Sequence, residues 1–413
     1  MMSVSTMRLV DCLIGVPICV VLTIIRRLLD LVKKPTEKAV DRIAFIKLVE
    51  QGTTVVAYSA LKRVIEMVGR KNVYFVVFEE NRFILDTMEM IPPENVIAIR
   101  SKGIWTVTAD VLRALYRMRK LHIDTTIDIE FFSRSSAILG YLSGASRRVG
   151  FQAFGGEGPY RGDLLTHRLR YNPHIHASQT FRMVVDAINA SAEELPTFNV
   201  LPAVVDELPP PFKPKENETN EAKTILKENL GSEYFEPLIL LNANCSDLLS
   251  LRRWSDKNYI ELAKKLLDKY PELHIALTGS PSESAAVSEL VRQIGSQRCF
   301  NIAGKTTLRQ LMVVYMLAEV LVTNDSGPAH FATLTNIDVV TLFGPEYPKL
   351  FAARSPRNHV FWSGIVCSPC VSVLNNRTSP CKNNVCMQRI SVEEVFEEVC
   401  RLYDTRRGAK SSQ

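Results

Sequence analysis

Short β-branched runs alternate with longer amphipathic stretches from about residue 41 onward. Runs of four to six such residues are typical of strands, and apolar positions three or four residues apart are typical of helices. The runs lie at residues 43–46, 73–78, 96–99 and 125–129, and the amphipathic stretches at 53–68 and 107–120. Because strands that alternate with helices form parallel sheets with crossover helices, this pattern predicts a doubly wound unit.

A second series of β-branched runs follows, at residues 238–242, 273–278, 300–302, 320–323 and 339–343. Residues 196–220, between the two series, are rich in Pro, Glu and Asn, which is linker composition. We therefore predict an α/β protein with two Rossmann-like domains, 41–195 and 221–413, facing a central cleft. Ligands of open α/β sheets bind at the carboxyl ends of the strands.

The N-terminal segment has a different pattern. Residues 9–25 are almost wholly apolar, and Arg26, Arg27, Lys33 and Lys34 follow them. Seventeen residues is near the short limit for a transmembrane helix, and the basic flank favours a cytoplasmic position for the rest of the chain. We expect residues 1–40 to attach the protein to a membrane, as a span or as an interfacial helix. A core-packing helix is the alternative.

Composition narrows the classes of partner. The 413 residues are 46% hydrophobic and 23% charged, with a net charge of +6, as in an ordinary globular protein. The mild positive charge fits anionic substrates or a membrane surface. Since no arginine-rich stripe interleaved with aromatic residues occurs, we do not expect nucleic acid as a partner.

The segment after the run at 320–323 carries the clearest chemical signal. It reads Asp325-Ser326-Gly327-Pro328-Ala329-His330, a turn of small residues with a proline suited to a first helical turn. Open backbone amides at such a turn bind anions. No G-x-G-x-x-G motif follows a predicted strand and no P-loop occurs, so a dinucleotide-dependent oxidoreductase has little support.

This turn, together with residues 342–345, resembles the signature of glycosyltransferase family 9, the heptosyltransferases of lipopolysaccharide synthesis. Further landmarks of that family occur in its order, at residues 46–52, 147–151, 242–245, 252–254 and 301–308. The resemblance covers nearly all of the chain after residue 40. It implies a GT-B fold and an inverting transfer from an ADP- or similarly activated sugar.

The resemblance implies an enzyme that moves a heptose-like sugar from a nucleoside diphosphate donor to a lipopolysaccharide or other surface glycan. Its expected partners are the nucleotide-sugar, a lipid-linked acceptor and the cytoplasmic surface of the bacterial inner membrane. An ADP-sugar is the expected donor, and no further cofactor is required. Two alternatives remain open: a transferase with another donor sugar, and a degenerate member that binds nucleotide or glycan without transfer.

By the same resemblance, a set of residues is expected to hold the donor. Asn244 and Cys245 would contact phosphate, Glu283 the ribose, Asp325 the sugar hydroxyls, and one of two arginines would grip the diphosphate. Arg252 is the candidate that stabilises the leaving group, although Arg253 is an equal contender. The predicted donor-binding residues are Gly52, Asn244, Cys245, Arg253, Glu283, Thr306, Asp325, Ser326, Gly327 and His330. His330 as a buried structural residue, Glu283 as a first-turn helix acid and the two arginines as surface residues are the alternatives.

Transfer to a hydroxyl also requires a general base, for which carboxylates are suited. Family members commonly carry an aspartate just after the first-loop glycine, whereas this chain reads Gly52-Thr53-Thr54. Glu50 is the nearest carboxylate and is the predicted base, with a solvated loop residue as the alternative reading. In the N-terminal half, arginines are candidates for acceptor phosphates or for plain surface, namely Arg134, Arg147, Arg148 and Arg161.

Four cysteines cluster in residues 367–386, at Cys367, Cys370, Cys381 and Cys386. Their spacing suits a structural zinc ion or two disulfides, and reduced packing cysteines are the remaining reading. A cytosolic location disfavours disulfides. A structural zinc site therefore stands as one prediction for this loop.

Overall fold

The computed structural model of the chain describes residues 9, 11–32, 39–196, 207–245 and 247–411. The chain divides into two units. Unit 1 comprises Met1–Glu207 and Ser372–Thr378, and unit 2 comprises Leu208–Val371 and Ser379–Gln413. Parts of the predicted anchor and of the predicted linker lie outside the described residues. The segment Ser372–Thr378, which the sequence places in the C-terminal domain, groups with unit 1.

Unit 1 contains a six-stranded sheet in the order β3-β2-β1-β4-β5-β6, in which every neighbouring pair is parallel. The central strands β1 and β4 are buried throughout, and β1 accordingly is a plain apolar run rather than an alternating one. The strands are β1 Ile43–Ile46, β2 Val73–Phe78, β3 Val96–Ile99, β4 Thr125–Asp128, β5 Arg147–Phe151 and β6 His167–Leu169.

Helices cover this sheet. The stretch predicted as one helix over 53–68 is two helices that meet at Ala57. The helices of unit 1 are α1 Gly15–Val32, α2 Gln51–Val56, α3 Tyr58–Val68, α4 Arg82–Met88, α5 Ile104–Lys120, α6 Arg134–Leu142 and α7 Ala177–Asp186. The helical segment Asp11–Val32, which includes α1, is long and apolar enough to cross a membrane. The predicted apolar N-terminal helix is thus confirmed.

Unit 2 contains a second six-stranded parallel sheet, in the order β12-β11-β10-β7-β8-β9. Its strands are β7 Leu238–Asn242, β8 His274–Leu277, β9 Cys299–Asn301, β10 Val320–Asn324, β11 Asp338–Phe343 and β12 Asn358–Trp362. Its helices are α8 Glu216–Leu230, α9 Asp256–Lys269, α10 Ser284–Ile294, α11 Leu308–Leu317, α12 Gly327–Ala332, α13 Pro348–Phe351, α14 Val385–Gln388 and α15 Val392–Ser411.

Helix α8 begins inside the stretch predicted as linker, residues 196–220. The carboxylate of Glu218 accepts a hydrogen bond from the Lys215 N–H at 2.8 Å, which caps the helix. The same carboxylate forms an ion pair with Arg309 on α11. This polar stretch is therefore helical, because Glu218 caps the first turn and pairs with Arg309 on a neighbouring helix.

The core of unit 2 reaches the carboxyl end of its sheet through Trp254. This side chain is fully buried, and its indole N–H donates to the Ile390 carbonyl at 2.9 Å. Its ring meets the Tyr259 ring edge-on at 5.1 Å, and the Tyr259 hydroxyl donates to the Asn242 carbonyl at 3.1 Å. The chain just before Trp254 is therefore held beside the end of β7.

Candidate active site

In each unit the strand order reverses between two neighbouring strands, β1 and β4 in unit 1 and β7 and β10 in unit 2. The connections diverge at such a switch point, which leaves space for a ligand at the carboxyl edge of the sheet. The chain after β1 contains Glu50, and the chain after β10 contains Asp325. The predicted base and the predicted donor-binding turn thus fall at the two switch points.

Asn324, at the end of β10, organises the switch point of unit 2. Its buried side-chain amide donates to the carbonyls of Ala243 and Asn244, at 3.1 and 3.2 Å. Its side-chain oxygen accepts from the Trp254 N–H at 3.0 Å. One side chain therefore fixes the loop after β7 and the segment that carries Arg252. Sequence analysis missed this residue, although it directly precedes Asp325.

Arg252 lies between two buried carboxylates. Its Nη2 is 3.1 Å from Oε1 of Glu346, its Nη1 donates to the Asp325 carbonyl at 3.2 Å, and its Nε is 3.5 Å from Oδ2 of Asp325. Arg253 is exposed and its side chain interacts with the Cys245 thiol, so both arginines lie beside the predicted phosphate loop and the choice between them stays a prediction. Glu346 was not predicted. Glu346 lies in the turn after β11, as Asp325 lies in the turn after β10, and this position could have identified it from the sequence.

Burial dominates the titration of these two acids. It raises the pKa of Glu346 to about 7, with Arg252 acting in the opposite direction. Burial also raises the pKa of Asp325, again against Arg252. Because a single guanidinium compensates the charge of only one carboxylate, one of the two acids stays protonated near neutral pH. The arrangement therefore places one guanidinium and one ionised carboxylate at the switch point.

The loop after β7 carries Asn244 and Cys245, and both side chains are buried. A Cβ at Gly279 would lie 2.9 Å from Nδ2 of Asn244, so the chain after β8 approaches Asn244 closely only because residue 279 is glycine. Burial raises the pKa of the Cys245 thiol, whose sulfur is 3.7 Å from the Leu249 carbonyl. The thiol is therefore neutral at physiological pH and is a weak hydrogen-bond donor.

The remaining residues predicted to bind the donor surround the same edge. The Glu283 carboxylate accepts from the Ser280 N–H at 2.6 Å and so caps the turn before α10. Thr306 is half-buried in the turn before α11.

The turn after β10 contains the other predicted residues. Ser326 precedes α12 and its hydroxyl donates to the Asn324 carbonyl at 3.1 Å. His330 is half-buried on α12 and is not a core residue. Gly327 begins α12, where a Cβ would lie 3.1 Å from the Phe331 ring.

In unit 1, Glu50 adopts a left-handed backbone conformation with φ of 67°. Such a conformation costs a non-glycine residue on the order of 1–3 kcal/mol and concentrates at functional sites. Its carboxylate accepts from Oγ1 of Thr53 at 3.3 Å, lies 3.3 Å from Nζ of Lys47, and forms an ion pair with Arg377. Because the side chain is only 16% exposed, Glu50 is not a solvated loop residue.

Lys47 and Glu130 hold the Glu50 loop in place. Nζ of Lys47 is buried between Glu50 and Glu130, 3.0 Å from Oε2 of the latter. Glu130 also accepts from the Val49 N–H at 2.7 Å. Burial lowers the pKa of Lys47, and Glu130 opposes that shift. Gly52 is buried in the first turn of α2, directly after this loop.

The four arginines considered for acceptor phosphates are used inside unit 1. Arg134 donates to the Tyr160 carbonyl at 2.7 Å, and Arg161 forms a buried ion pair with Asp128. The guanidinium groups of the other two donate to carbonyls, Arg147 to Ile188 and Arg148 to Ala145 and Leu164. Structural hydrogen bonding therefore replaces the acceptor role, because burying a guanidinium requires partners for its donors.

The four clustered cysteines are not arranged as a zinc site. Over the described residues, no group of three or more His, Cys, Asp or Glu side chains could hold a metal ion. Cys367 and Cys381 are exposed, and Cys381 contacts its own loop at the Asn383 carbonyl, 3.1 Å away. Cys386 is buried on α14 beside Gly344. No disulfide joins the nine cysteines, all of which lie in the described part of the chain.

Comparison with known families gives one match over most of the chain. The model of glycosyltransferase family 9 (heptosyltransferase) matches residues 115–379. This range contains β4 to β12, the Arg252 cluster and the segment that carries Arg377, whereas Glu50 precedes it.

Individual relatives agree with this match. Lipopolysaccharide heptosyltransferase 2 of Escherichia coli K12 is 35% identical over 112 residues, which are 26% of this chain and 32% of that protein. Lipopolysaccharide heptosyltransferase 1 of Campylobacter coli is 22% identical over 373 residues, 88% of this chain and 99% of that protein. The chain therefore matches about a third of the length of the first relative and nearly all of the second.

Among solved structures, the E. coli ADP-heptose LPS heptosyltransferase II superposes with a TM-score of 0.65 at 19% identity. The superposition covers 89% of this chain and 99% of that one. At this identity the likeness concerns the fold. The prediction of two Rossmann-like α/β domains is confirmed by the two sheets and by this likeness.

Proposed function

Because this chain belongs to glycosyltransferase family 9, the heptosyltransferases, we propose that it transfers a heptose-like sugar from an ADP-sugar to a lipopolysaccharide-type acceptor. The transfer would take place at the cytoplasmic face of a bacterial inner membrane. The names of the relatives, which include an ADP-heptose enzyme and several lipopolysaccharide heptosyltransferases, support this donor and this acceptor.

The single observation that carries the proposal is the Arg252 cluster at the switch point of unit 2. It brings Arg252, Asp325 and Glu346 together beside the buried Asn244. A nucleoside diphosphate needs a cation and hydrogen-bond donors near its phosphates, since charge accumulates there as the sugar leaves. We assign Arg252 and the Asn244 loop to the diphosphate, and Asp325 to the sugar hydroxyls.

For the acceptor step we propose a single displacement with inversion and with Glu50 as general base. The acceptor oxygen would form the new bond to the anomeric carbon while the bond to the donor phosphate breaks and ADP leaves. Glu50 would take the hydroxyl proton. Its carboxylate is held by Thr53, Lys47 and Arg377, which suits a base that must keep one orientation. Asp128 is less suited, because its side chain is only 4% exposed whereas that of Glu50 is 16% exposed.

The test is ADP release by the purified full-length protein from ADP-heptose, with acceptor lipid present and absent. We expect acceptor-dependent release that Glu50→Gln lowers by about 10²–10⁴-fold, the usual contribution of a general base. The dissociation constant for ADP should not change, because the substitution removes charge and leaves size unaltered. Glu66→Gln in the same unit is the matched control, since Glu66 is half exposed and pairs only with a surface arginine.

Each outcome bears on a different part of the proposal. Full turnover in Glu50→Gln would remove Glu50 as the base and leave the transferase assignment intact. ADP-heptose that binds without acceptor-dependent release would instead indicate a protein that binds nucleotide without transfer. Release from another nucleotide-sugar in a parallel panel, analysed by product mass, would reassign the donor.

A further inference from the structure

The N-terminal helix is fastened to unit 1 at its start. The Asp11 carboxylate lies 3.0 Å from Nη1 of Arg134 and accepts from the N–H and hydroxyl of Ser135, at 3.0 and 2.8 Å. These partners form the first turn of α6. Gly15 continues the contact, since a Cβ there would lie 3.0 Å from Cβ of Arg134.

A second set of contacts holds the same helix to unit 1 at Thr23 and Arg26. Nη2 of Arg26 is 2.7 Å from Oδ2 of Asp163, and the Asp163 N–H donates to the Thr23 hydroxyl at 2.9 Å. Between these points Gly162 approaches so closely that a Cβ on it would lie 2.9 Å from the Cys19 carbonyl. At 1.5 Å per residue, Asp11 and Arg26 are about 22 Å apart. The helix therefore lies flat along the unit.

Outside this seam the surface of the helix is mainly apolar and exposed, with Arg27 and Asp30 as the charged exceptions. The large hydrophobic residues on the exposed surface are Leu9, Leu13, Ile14, Ile18, Val20, Val21, Ile24, Ile25, Leu28, Leu29, Leu31 and Val32. Fully burying one such side chain is worth about 1.5–3 kcal/mol, so a medium that covers the whole surface would stabilise this arrangement strongly. The surface is convex and surrounds the helix on all sides but one. A protein partner covers one face of a helix, whereas lipid chains cover all of its exposed sides.

Helix α5 carries a second apolar surface in the same layer. Trp105, Leu112 and Tyr116 are exposed by 85, 62 and 69%. Both α1 and α5 pack against α6, and the crossovers through α5 and α6 run in the same direction along the sheet. Since crossovers are right-handed, α5 and α6 cover the same face of that sheet. Tryptophan and tyrosine are the side chains favoured at the level of lipid headgroups.

Exposed basic side chains border these two surfaces. Arg27, beside the seam of α1, is 70% exposed with its Nε 3.7 Å from Oδ2 of Asp163, and Arg113 on α5 is 71% exposed with its Nη1 2.9 Å from Oδ1 of Asp110. Asp30 is the exposed acid of α1. Lys120 follows in the last turn of α5. Cations at the border of an apolar surface attract anionic headgroups, at about 1 kcal/mol each near the membrane surface.

We propose that α1 is an in-plane membrane anchor that stays docked on unit 1, with the exposed face of α5 as a second lipid contact. A docked helix whose two ends are tied to the same unit cannot also cross a bilayer. The apolar side chains of α1 then enter the bilayer to a shallow depth of about 5–10 Å. Membrane binding can be tested independently of sugar transfer, because binding to vesicles requires neither donor nor acceptor.

Depth measurements on the full-length protein separate an in-plane helix from a span. Leu13→Trp, Val21→Trp and Leu28→Trp place a fluorophore at the start, middle and end of the exposed surface. Vesicles of phosphatidylethanolamine and phosphatidylglycerol would carry bromine at shallow or deep acyl positions, and quenching in excess of the wild-type signal would be recorded. We expect all three positions to be quenched equally and mostly by shallow bromine.

Two results would overturn the proposal. Deep quenching of Val21→Trp with shallow quenching of the other two would mean that the helix spans the bilayer. No quenching at any position would mean that the apolar surface serves a protein partner. Weaker sedimentation with phosphatidylcholine vesicles than with the anionic ones is expected from the basic border.

The contact through α5 has its own test. Trp105→Ser with Tyr116→Ser should lower the affinity for the anionic vesicles about tenfold, the equivalent of 1.4 kcal/mol. Tyr234→Ser in unit 2 is the matched control, because Tyr234 is 82% exposed on a different unit. All variants should unfold at the wild-type temperature. Equal losses in the α5 variant and the control, or no loss in either, would remove α5 from the membrane surface.

Discussion

Glu346 is a buried acid that shares Arg252 with Asp325, and this sharing makes the proposed donor site sensitive to pH. Its pKa is raised to about 7, chiefly by burial. Below that pH Glu346 is neutral and a phosphate competes only with Asp325 for Arg252, whereas above it the ionised Glu346 carboxylate competes as well. The affinity for a nucleoside diphosphate should therefore fall as the pH rises through 7.

Glu346→Gln tests this coupling. Between about pH 6 and 8 the wild-type affinity for ADP should fall about tenfold relative to that of the variant, because a tenfold change corresponds to one pK unit. The terminal phosphate of ADP also titrates in this range, but equally in both measurements. Titration calorimetry at several pH values measures both. Glu233→Gln, which changes an exposed acid in the same unit, should keep the wild-type profile. A wild-type affinity that does not change with pH would contradict the coupling.

The same acid also contributes to the pH dependence of folding. Because the pKa of Glu346 is higher in the folded protein than the usual 4.5, the native state holds a proton that the unfolded state has lost. Stability should therefore decrease as the pH rises from about 4.5 to 7 and then level off. The free energy of unfolding of Glu346→Gln, measured in urea, should not show this decrease. If it changes with pH as steeply as that of the wild type, Glu346 is not the cause of the decrease.

At the level of single residues, the sequence anticipated the positions that follow strands and missed their partners. Asp325 and Arg252 were predicted, and the structure brings them together. Lys47, Glu130 and Arg377, which hold Glu50, were not predicted; Lys47 lies three residues before Glu50, whereas Glu130 and Arg377 come from distant parts of the chain. Charge and motif order reveal which residues carry chemistry, but pairing across long separations depends on the sheet order.

Among the elements, β11 and α14 meet at Gly344, where there is no room for a side chain. A Cβ at this position would lie 2.7 Å from Cγ of Met387 and 3.2 Å from the Cys386 sulfur. Gly344→Ala should therefore lower the free energy of unfolding by about 1–3 kcal/mol, the usual cost of overpacking a core. Urea denaturation followed by fluorescence provides the measurement.

Gly408→Ala is the control for this substitution. Gly408 lies on α15 and a Cβ there would meet nothing within 4 Å. Alanine in a helix is favoured over glycine by about 1 kcal/mol, so this variant should be slightly more stable than the wild type. A Gly344→Ala protein as stable as Gly408→Ala would show that α14 moves away from β11 without cost.

Element types were predictable from the period of apolar positions, and the bounds of β1, β2, β3 and β7 were predicted to the residue, whereas helix boundaries were predicted less well. The strand predicted at 43–46 is present, because a buried parallel strand is a plain apolar run. The first turn of α8 was taken for linker, since Glu218 is held there by Lys215 and Arg309, and the buried apolar residues Ala222 and Leu226 come later in the helix. Composition alone does not show contacts of that kind.

For the whole molecule, two sheets with separate cores mean that a ligand of one unit stabilises that unit first. ADP at 100 times its dissociation constant should add about 2.7 kcal/mol to the stability of unit 2. Hydrogen exchange followed by mass spectrometry should show slower exchange after β7 and β10. Peptides from α3 in unit 1 serve as the internal reference, and equal protection there would argue against a donor site confined to unit 2.

The grouping of Ser372–Thr378 with unit 1 also affects the order in which the protein is completed on the ribosome. Translation reaches Arg377 only after β12, the last of the described strands, has been made. The sheet of unit 1 can close much earlier, since domains generally fold as units during synthesis. The Glu50 carboxylate therefore lacks Arg377 until the chain is nearly complete. A truncated product would contain a complete first sheet, but Glu50 would lack one of its partners.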